Sequence, residues 1–210
     1  MRVTIFGANG RTGIHAVREA LENGHQVTAF VRIPALLPIQ QHPNLKILQG
    51  DVLNPENVEQ GVMGQDAILC LLGVSLGTKA AICSLGTLNI LHAMKKHQVQ
   101  RFLTVTGLDM KNLDHFNFFQ RAFIFLFSLL DKAAIVDKGI QEKIIMQSKL
   151  QWTIVRPPWL THGPKTGVYQ EGQIIRPTLL STLSRADLAH FLIRQLGDSA
   201  YIQKDVTIQY

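Results

Sequence analysis

The chain has 210 residues, 46% hydrophobic and 17% charged, which is enough apolar material for one sizeable core and argues against disorder. Its net charge of +6 comes from scattered lysines and arginines, with Lys95 and Lys96 the only adjacent basic pair, so a basic arm or patch for nucleic acid is not expected. Two cysteines, Cys70 and Cys83, form no motif, and the eight histidines show no metal-ligand spacing, so a reduced protein without a metal site is expected.

The first strand begins at Arg2, which leaves no room for a signal peptide, and a cytoplasmic location is the expectation. The apolar run Val3-Thr4-Ile5-Phe6 leads into Gly7-Ala8-Asn9-Gly10-Arg11-Thr12-Gly13. A helix is predicted over 11–23, with Ile14, Val17, Ala20 and Leu21 on one face and Gly24 as its stop. A second strand over 26–31 closes on Arg32. Strand, glycine turn, helix and strand in this order form the unit that binds a dinucleotide. The first glycine allows the tight turn, the second lets the backbone approach a pyrophosphate, and the third lets the helix pack close. The helix N-terminus offers N–H groups to the phosphates. An NAD site usually carries an acid at the end of strand two, where this chain has Arg32. A guanidinium suits the 2′-phosphate of NADP, so NADP(H) is favoured over NAD(H); a solvated strand-end arginine is the alternative.

A loop with Pro34, Pro38 and Pro43 precedes a strand over 45–48, and Gly50-Asp51-Val52 follows. Asp51 can accept from an adenine amino group or stabilise a turn. Asn54-Pro55 starts a helix as N-cap and first residue. The strand over 67–72 is almost continuously apolar, as a strand buried on both faces should be, and Gly73 ends it where the backbone is expected to pass under the cofactor. A helix over 79–97 and a strand over 101–106, closed by Gly107, come next.

Residues 116–130 hold six of the ten phenylalanines, Phe116, Phe118, Phe119, Phe123, Phe125 and Phe127. The run ending at Leu130 is too short for the ~20 residues of a membrane span. It can be a wall for an aromatic substrate, an interface for a protein partner or second copy, or plain core. A helix over 132–149 carries Lys138 and Lys143, and a strand over 152–156 is halted by Pro157-Pro158. A polar loop over 161–172 precedes a helix opening on the capping-box pattern Ser184-Arg185-Ala186-Asp187 and burying Leu188, Phe191 and Leu192; a final strand spans 206–208. These elements predict an α/β fold: a single-domain, doubly wound Rossmann sheet of about six to seven parallel strands with helices on both faces. A small substrate-side lobe is expected from 108–131 and 157–184.

Four blocks carry a resemblance that runs nearly end to end: 7–13, 50–52, Trp152-Thr153-Ile154-Val155-Arg156-Pro157, and Leu160-Thr161-His162-Gly163-Pro164-Lys165-Thr166-Gly167. On them the chain resembles the atypical short-chain dehydrogenase/reductases, in particular the NAD(P)H-binding proteins similar to biliverdin reductase B and the NmrA-like group. The resemblance implies that Gly7, Asn9, Gly10, Arg11, Thr12 and Gly13 form the pyrophosphate turn, that Arg32 takes the 2′-phosphate, and that Asp51 and Val52 take the adenine. Leu72 and Gly73 would line the adenosine ribose. Val105, Thr106 and Gly107 would face the nicotinamide, and Pro157, Pro158, Trp159 and Leu160 would close over it. The classical short-chain dehydrogenase/reductases use a Tyr-x-x-x-Lys pair to pass a proton. Aligned on the helix before strand six, Lys143 is available to the nicotinamide ribose, but Gly139 stands in the tyrosine's place. Thr106-Gly107 replaces the usual serine, and Trp159 stands where biliverdin reductase B has a histidine.

With that relay missing, no catalytic residue is assigned. An NADPH-dependent reductase of a flavin or quinone is the first expectation, because such a ring needs mainly positioning and can take its proton from solvent. A non-catalytic NADP(H) sensor that binds a protein partner is the second. An epimerase or isomerase is the third, with Asp109, His115 and His162 the only nearby acid/base candidates.

Overall fold

The computed structural model describes residues 1–73, 81–107 and 132–210. The phenylalanine-rich segment, Asp109 and His115 lie outside the described residues, as does the first half of the expected lobe. The strands are β1 (Arg2–Phe6), β2 (Gln26–Val31), β3 (Leu45–Gln49), β4 (Ala67–Cys70), β5 (Arg101–Val105), β6 (Gln151–Arg156), β7 (Trp159–Thr161), β8 (Gln170–Gly172), β9 (Thr182–Ser184) and β10 (Lys204–Gln209). The α-helices are α1 (Gly13–Glu22), α2 (Pro55–Val62), α3 (Ile82–Lys96), α4 (Lys132–Gln147) and α5 (Arg185–Arg194). Eight strands form one sheet in the order β3-β2-β1-β4-β5-β6-β10-β8, and β7 pairs with β9 in a separate parallel ribbon.

All pairings in the large sheet are parallel except β10 with β8. Because side chains alternate across a strand, each central strand feeds two cores. Val3, Ile5, Val27, Ala29, Leu69 and Leu103 point to one core, which α1 and α5 cover. Phe6, Phe30, Ile68, Cys70, Phe102 and Ile154 point to the other, which α2, α3 and α4 cover. This is the doubly wound Rossmann arrangement.

Local chemistry sets the helix ends. Gly24 has φ of 73°, and His25 and Gly24 donate backbone bonds to Ala20 O and Leu21 O at 3.0 Å each, a Schellman stop for α1. Asn54 accepts from Asn57 N at 2.9 Å to cap α2, with Pro55 as first residue.

The sheet exceeds the six or seven strands expected from sequence, since β8 lies inside what reads as a loop. A three-residue polar strand, Gln170–Gly172, is too short to show a period. β4 stops at Cys70 rather than residue 72: Leu71 N makes the last bond to β1, to Phe6 O at 2.9 Å, and Leu71 and Leu72 then line a cavity.

The capping box at α5 is only half made. Ser184 Oγ accepts from Asp187 N at 2.9 Å, but the Asp187 carboxylate turns to the preceding loop and the C-terminus. It accepts from Thr166 N, Thr166 Oγ1 and Gly167 N at 2.8 Å each, and from Tyr210 Oη at 2.6 Å. Burial works to raise this carboxyl's pKa, but the bonds from Tyr210, Gly167 and Thr166 outweigh it and hold it below its ordinary value. The stabilisation is therefore present above an unfolded pKa of about 3.9 and is lost as pH falls through the lower folded value. Asp187→Asn is expected to cost ~2–4 kcal/mol at neutral pH and to flatten the acid limb of stability, as read by urea melts across pH.

Candidate functional site

The sheet grows one way from β1 through β2 to β3, and the other way through β4 to β6. At such a switch point the loops leave the strand ends in opposite directions and open a crevice. A cavity of about 740 Å³ lies there.

Its floor is the turn after β1, where Gly7, Asn9, Gly10, Arg11, Thr12 and Gly13 all line the cavity. Gly7 takes φ of 78°, and Gly10 N donates to Gly7 O at 2.9 Å. A Cβ on Gly7 would sit 2.6 Å from Leu71 O, and one on Gly13 would sit 2.2 Å from Gly7 O. The turn thus closes onto the residues after β4, and α1 starts directly against the turn. The backbone N–H groups of Arg11 and Thr12 find no acceptor among the described residues, and no acid stands in the first turn of α1. The positive end of this helix is left uncompensated at the cavity.

The second wall comes from β2 and β3. Phe30, Val31 and Arg32 line it, with the exposed Arg32 making no ion pair among the described residues. Asp51, Val52 and Leu53 continue it. Asp51 Oδ1 accepts from Leu53 N at 2.9 Å, so this side chain closes a turn and faces the cavity at once. Leu71, Leu72 and Gly73 form the facing edge, with Ile82 at the start of α3. Leu160 in β7 and Arg185, the first residue of α5, complete the lining.

Seven expected site residues are not part of that lining. Val105, Thr106 and Gly107 stand at the end of β5; Thr106 Oγ1 is buried without a hydrogen-bond partner among the described residues. Pro157 and Pro158 are buried behind β7, and Trp159 is 41% exposed. The seventh, Lys143, is exposed on α4. Lys138 comes five residues earlier, about 140° round the helix, and occupies the strand ends instead. Its Nζ donates to Leu72 O at 2.8 Å and Val105 O at 3.1 Å. An ammonium has three N–H bonds, so one is not used by these carbonyls; the Cys83 thiol lies within its influence, and Lys138 itself stands outside the cavity lining.

The neighbours of Lys138 fix its helix. Asp137, buried, accepts from Cys83 N at 2.8 Å and Ser84 N at 3.0 Å, capping α3 from a different helix. Gln141 Nε2 donates to Thr87 Oγ1 at 2.9 Å.

Sequence reading missed Phe30, Val31, Leu53, Leu71, Ile82 and Arg185. Val31, Leu53 and Leu71 directly adjoin residues it did name, Phe30 lies two before Arg32, Ile82 falls inside the helix expected over 79–97, and Arg185 carries only the signal of the capping box.

The remaining reactive groups are committed elsewhere. Burial pushes the Cys83 thiol up to about 11 and raises Cys70 as well, so neither is a thiolate at neutral pH. The chain has three tyrosines, all described and all outside the cavity lining. Tyr169 bonds His190 Nδ1 at 2.7 Å and is pushed up to about 12 by burial; Tyr210 bonds Asp187; Tyr201 packs on Phe191. The described residues hold no cluster fit for a metal ion, and none of their helices is long and apolar enough to cross a membrane.

Comparison with known proteins gives this cavity a context. A chloroplastic protein of Arabidopsis thaliana, itself uncharacterised, is 28% identical over 97% of this chain and 73% of its own length. The 3-beta-hydroxysteroid dehydrogenase of Mycolicibacterium neoaurum is 36% identical over 49% of this chain, but that match spans only 31% of the enzyme. A short-chain dehydrogenase/reductase of Veillonella parvula, solved in complex with NADP, superposes with a TM-score of 0.84 at 17% identity, covering 100% of this chain and 94% of that one. The family described as NAD(P)H-binding matches residues 7–199, which include every residue lining the cavity. The chain belongs to this NAD(P)H-binding family.

Proposed function

We propose that the protein is an NADPH-dependent reductase of a flat, electron-accepting substrate such as a flavin or quinone, and that the cavity at the β1–β4 switch point is its cofactor site. The residues present fit a dinucleotide. A glycine turn whose Cβ positions are already filled by backbone, with helix N–H groups left over, suits a pyrophosphate. Asp51 and Val52 would take the adenine, and Arg32 the 2′-phosphate. Lys138 would hold the nicotinamide ribose with its remaining N–H, near the end of β5, where the Thr106 hydroxyl has no partner among the described residues. When bound, the dihydronicotinamide supplies a hydride.

The observation that carries the substrate class is the position of the tyrosines. All three are bonded or packed away from the cavity, and Tyr169 has a raised pKa where a proton-passing tyrosine needs a lowered one. A carbonyl substrate would need such a donor; a flavin or quinone can be protonated by solvent. His162, the one described candidate for epimerase chemistry, is exposed and outside the cavity lining, which disfavours that reading. The same lack of a proton donor also suits a sensor that binds the cofactor without turnover.

The test is NADPH oxidation with FMN, FAD or a soluble quinone. Turnover with at least one supports the reductase. No turnover, with NADP⁺ and NADPH bound alike, overturns it in favour of the sensor. Arg32→Ala is expected to weaken NADPH about 10- to 100-fold and to leave NADH within about twofold, because only the 2′-phosphate loses its charge-assisted bonds. Equal losses for both cofactors would place Arg32 outside 2′-phosphate recognition.

A further inference from the structure

We infer that Arg185 and Arg11 form an oxyanion-binding pair at the Leu160 end of the cavity, built to take a phosphate or carboxylate group. Both guanidiniums belong to residues lining the same cavity. Arg185 is partly buried, and its Nη1 donates to Leu160 O and Thr161 O at 3.0 Å each. Those two carbonyls use two of its five N–H bonds and fix the plane of the fork. No carboxylate pairs with Arg185 or Arg11 among the described residues.

The described acids of α1 and α5 are engaged elsewhere. Glu19 and Glu22 pair with Lys165 at 2.8 and 3.6 Å, and Asp187 is filled by the loop and Tyr210. A partly buried guanidinium with no counterion is unfavourable unless a ligand brings one. Its surroundings are also positive: burial first, then the charge of Arg11, lowers the pKa of Arg185. His15 is lowered by burial, then by Arg18, Arg185 and His162, so this corner is positive among the described residues. A fixed fork, a second guanidinium and a missing counterion together describe a site for an oxyanion.

Two carriers can bring that group: the cofactor's own pyrophosphate, or an anionic second ligand. Only the choice between them rests on the cavity being a nicotinamide-nucleotide site; the oxyanion pair does not.

Calorimetry on the full chain separates the cases. The probes are inorganic pyrophosphate, ADP, adenosine and NADPH on the free protein, and inorganic phosphate on protein saturated with NADP⁺. If the cofactor carries the group, Arg185→Gln weakens pyrophosphate, ADP and NADPH tenfold or more and leaves adenosine unchanged. If a second ligand carries it, NADPH and ADP are unchanged, while inorganic phosphate binds the loaded wild type and not the variant. Unchanged binding of every probe overturns the inference. Failure of the wild type to bind NADPH, with pyrophosphate still bound through Arg185, removes the nicotinamide reading and keeps the pair. Arg185→Lys retains the charge and checks folding. Arg11→Gln, at an exposed side chain that makes no hydrogen bond among the described residues, must show the same loss if Arg185→Gln does not fold.

Discussion

Gly13→Ala is expected to abolish NADPH binding and to lower the free energy of unfolding by ~3 kcal/mol or more, a value at the upper end for overpacking. The added Cβ would lie 2.2 Å from Gly7 O and 2.7 Å from Ala8 O, and both are backbone atoms. Neither can move alone. Gly7 O accepts from Gly10 N and Gly10 O accepts from Ile14 N, so relief of the clash must open the turn or push α1 away. Either movement takes the helix N–H groups from the cavity. Gly73→Ala is the matched control, since its Cβ would meet nothing within 4 Å, and it should unfold like the wild type. Urea melts and quenching or enhancement of NADPH fluorescence read both effects. A Gly13→Ala protein of wild-type stability that binds NADPH normally would show that the close approach is not required.

The second large effect is expected at Lys138. Lys138→Met should lower kcat/KM for NADPH about 100-fold, as loss of bonds to a charged donor implies, and destabilise the fold by ~1–2 kcal/mol. The stability loss follows from two carbonyls, Leu72 O and Val105 O, that lose their donor at the ends of β4 and β5. Lys143→Met should leave both quantities unchanged, because that side chain is exposed on another face of α4. The opposite ranking of the two variants in a steady-state assay would assign the ribose contact to Lys143. If the protein is a sensor without turnover, the same ranking should appear in NADPH affinity.

The difference between these two lysines explains what can be read from the chain alone. The order of strands, the glycine turn and the stop at Gly24 were legible because each depends on chemistry within a few residues: alternation, a positive φ, a cap. The position of Arg32 at the cavity edge was legible for the same reason, as the residue that directly ends a strand. Whether Lys138 or Lys143 reaches the ends of β4 and β5 depends on which face of α4 meets them. Asp137, capping α3 from outside it, and Gln141, bonded to Thr87, set that face. No spacing rule encodes a cap supplied by a different helix.

Arg185 was hidden for a related reason. Its local signal is that of a helix start after Ser184, and its place in the cavity comes from β7 and β9 pairing at Leu160 and Leu183, more than 20 residues apart. The capping box itself misled in a useful way. Asp187 matches the pattern, yet its carboxylate serves Thr166, Gly167 and Tyr210, so a local motif was taken over by long-range bonds. β8 was missed because three polar residues carry no period, and its partner β10 starts more than 30 residues further along the chain.

The most direct test is a calorimetric titration of the purified chain with NADPH and with NADH under the same conditions. One NADPH bound per chain, at least tenfold tighter than NADH, with the preference lost in Arg32→Ala, is the expected result. No measurable binding of either nucleotide, or a clear preference for NADH, would contradict the assignment of the β1–β4 cavity as an NADPH site.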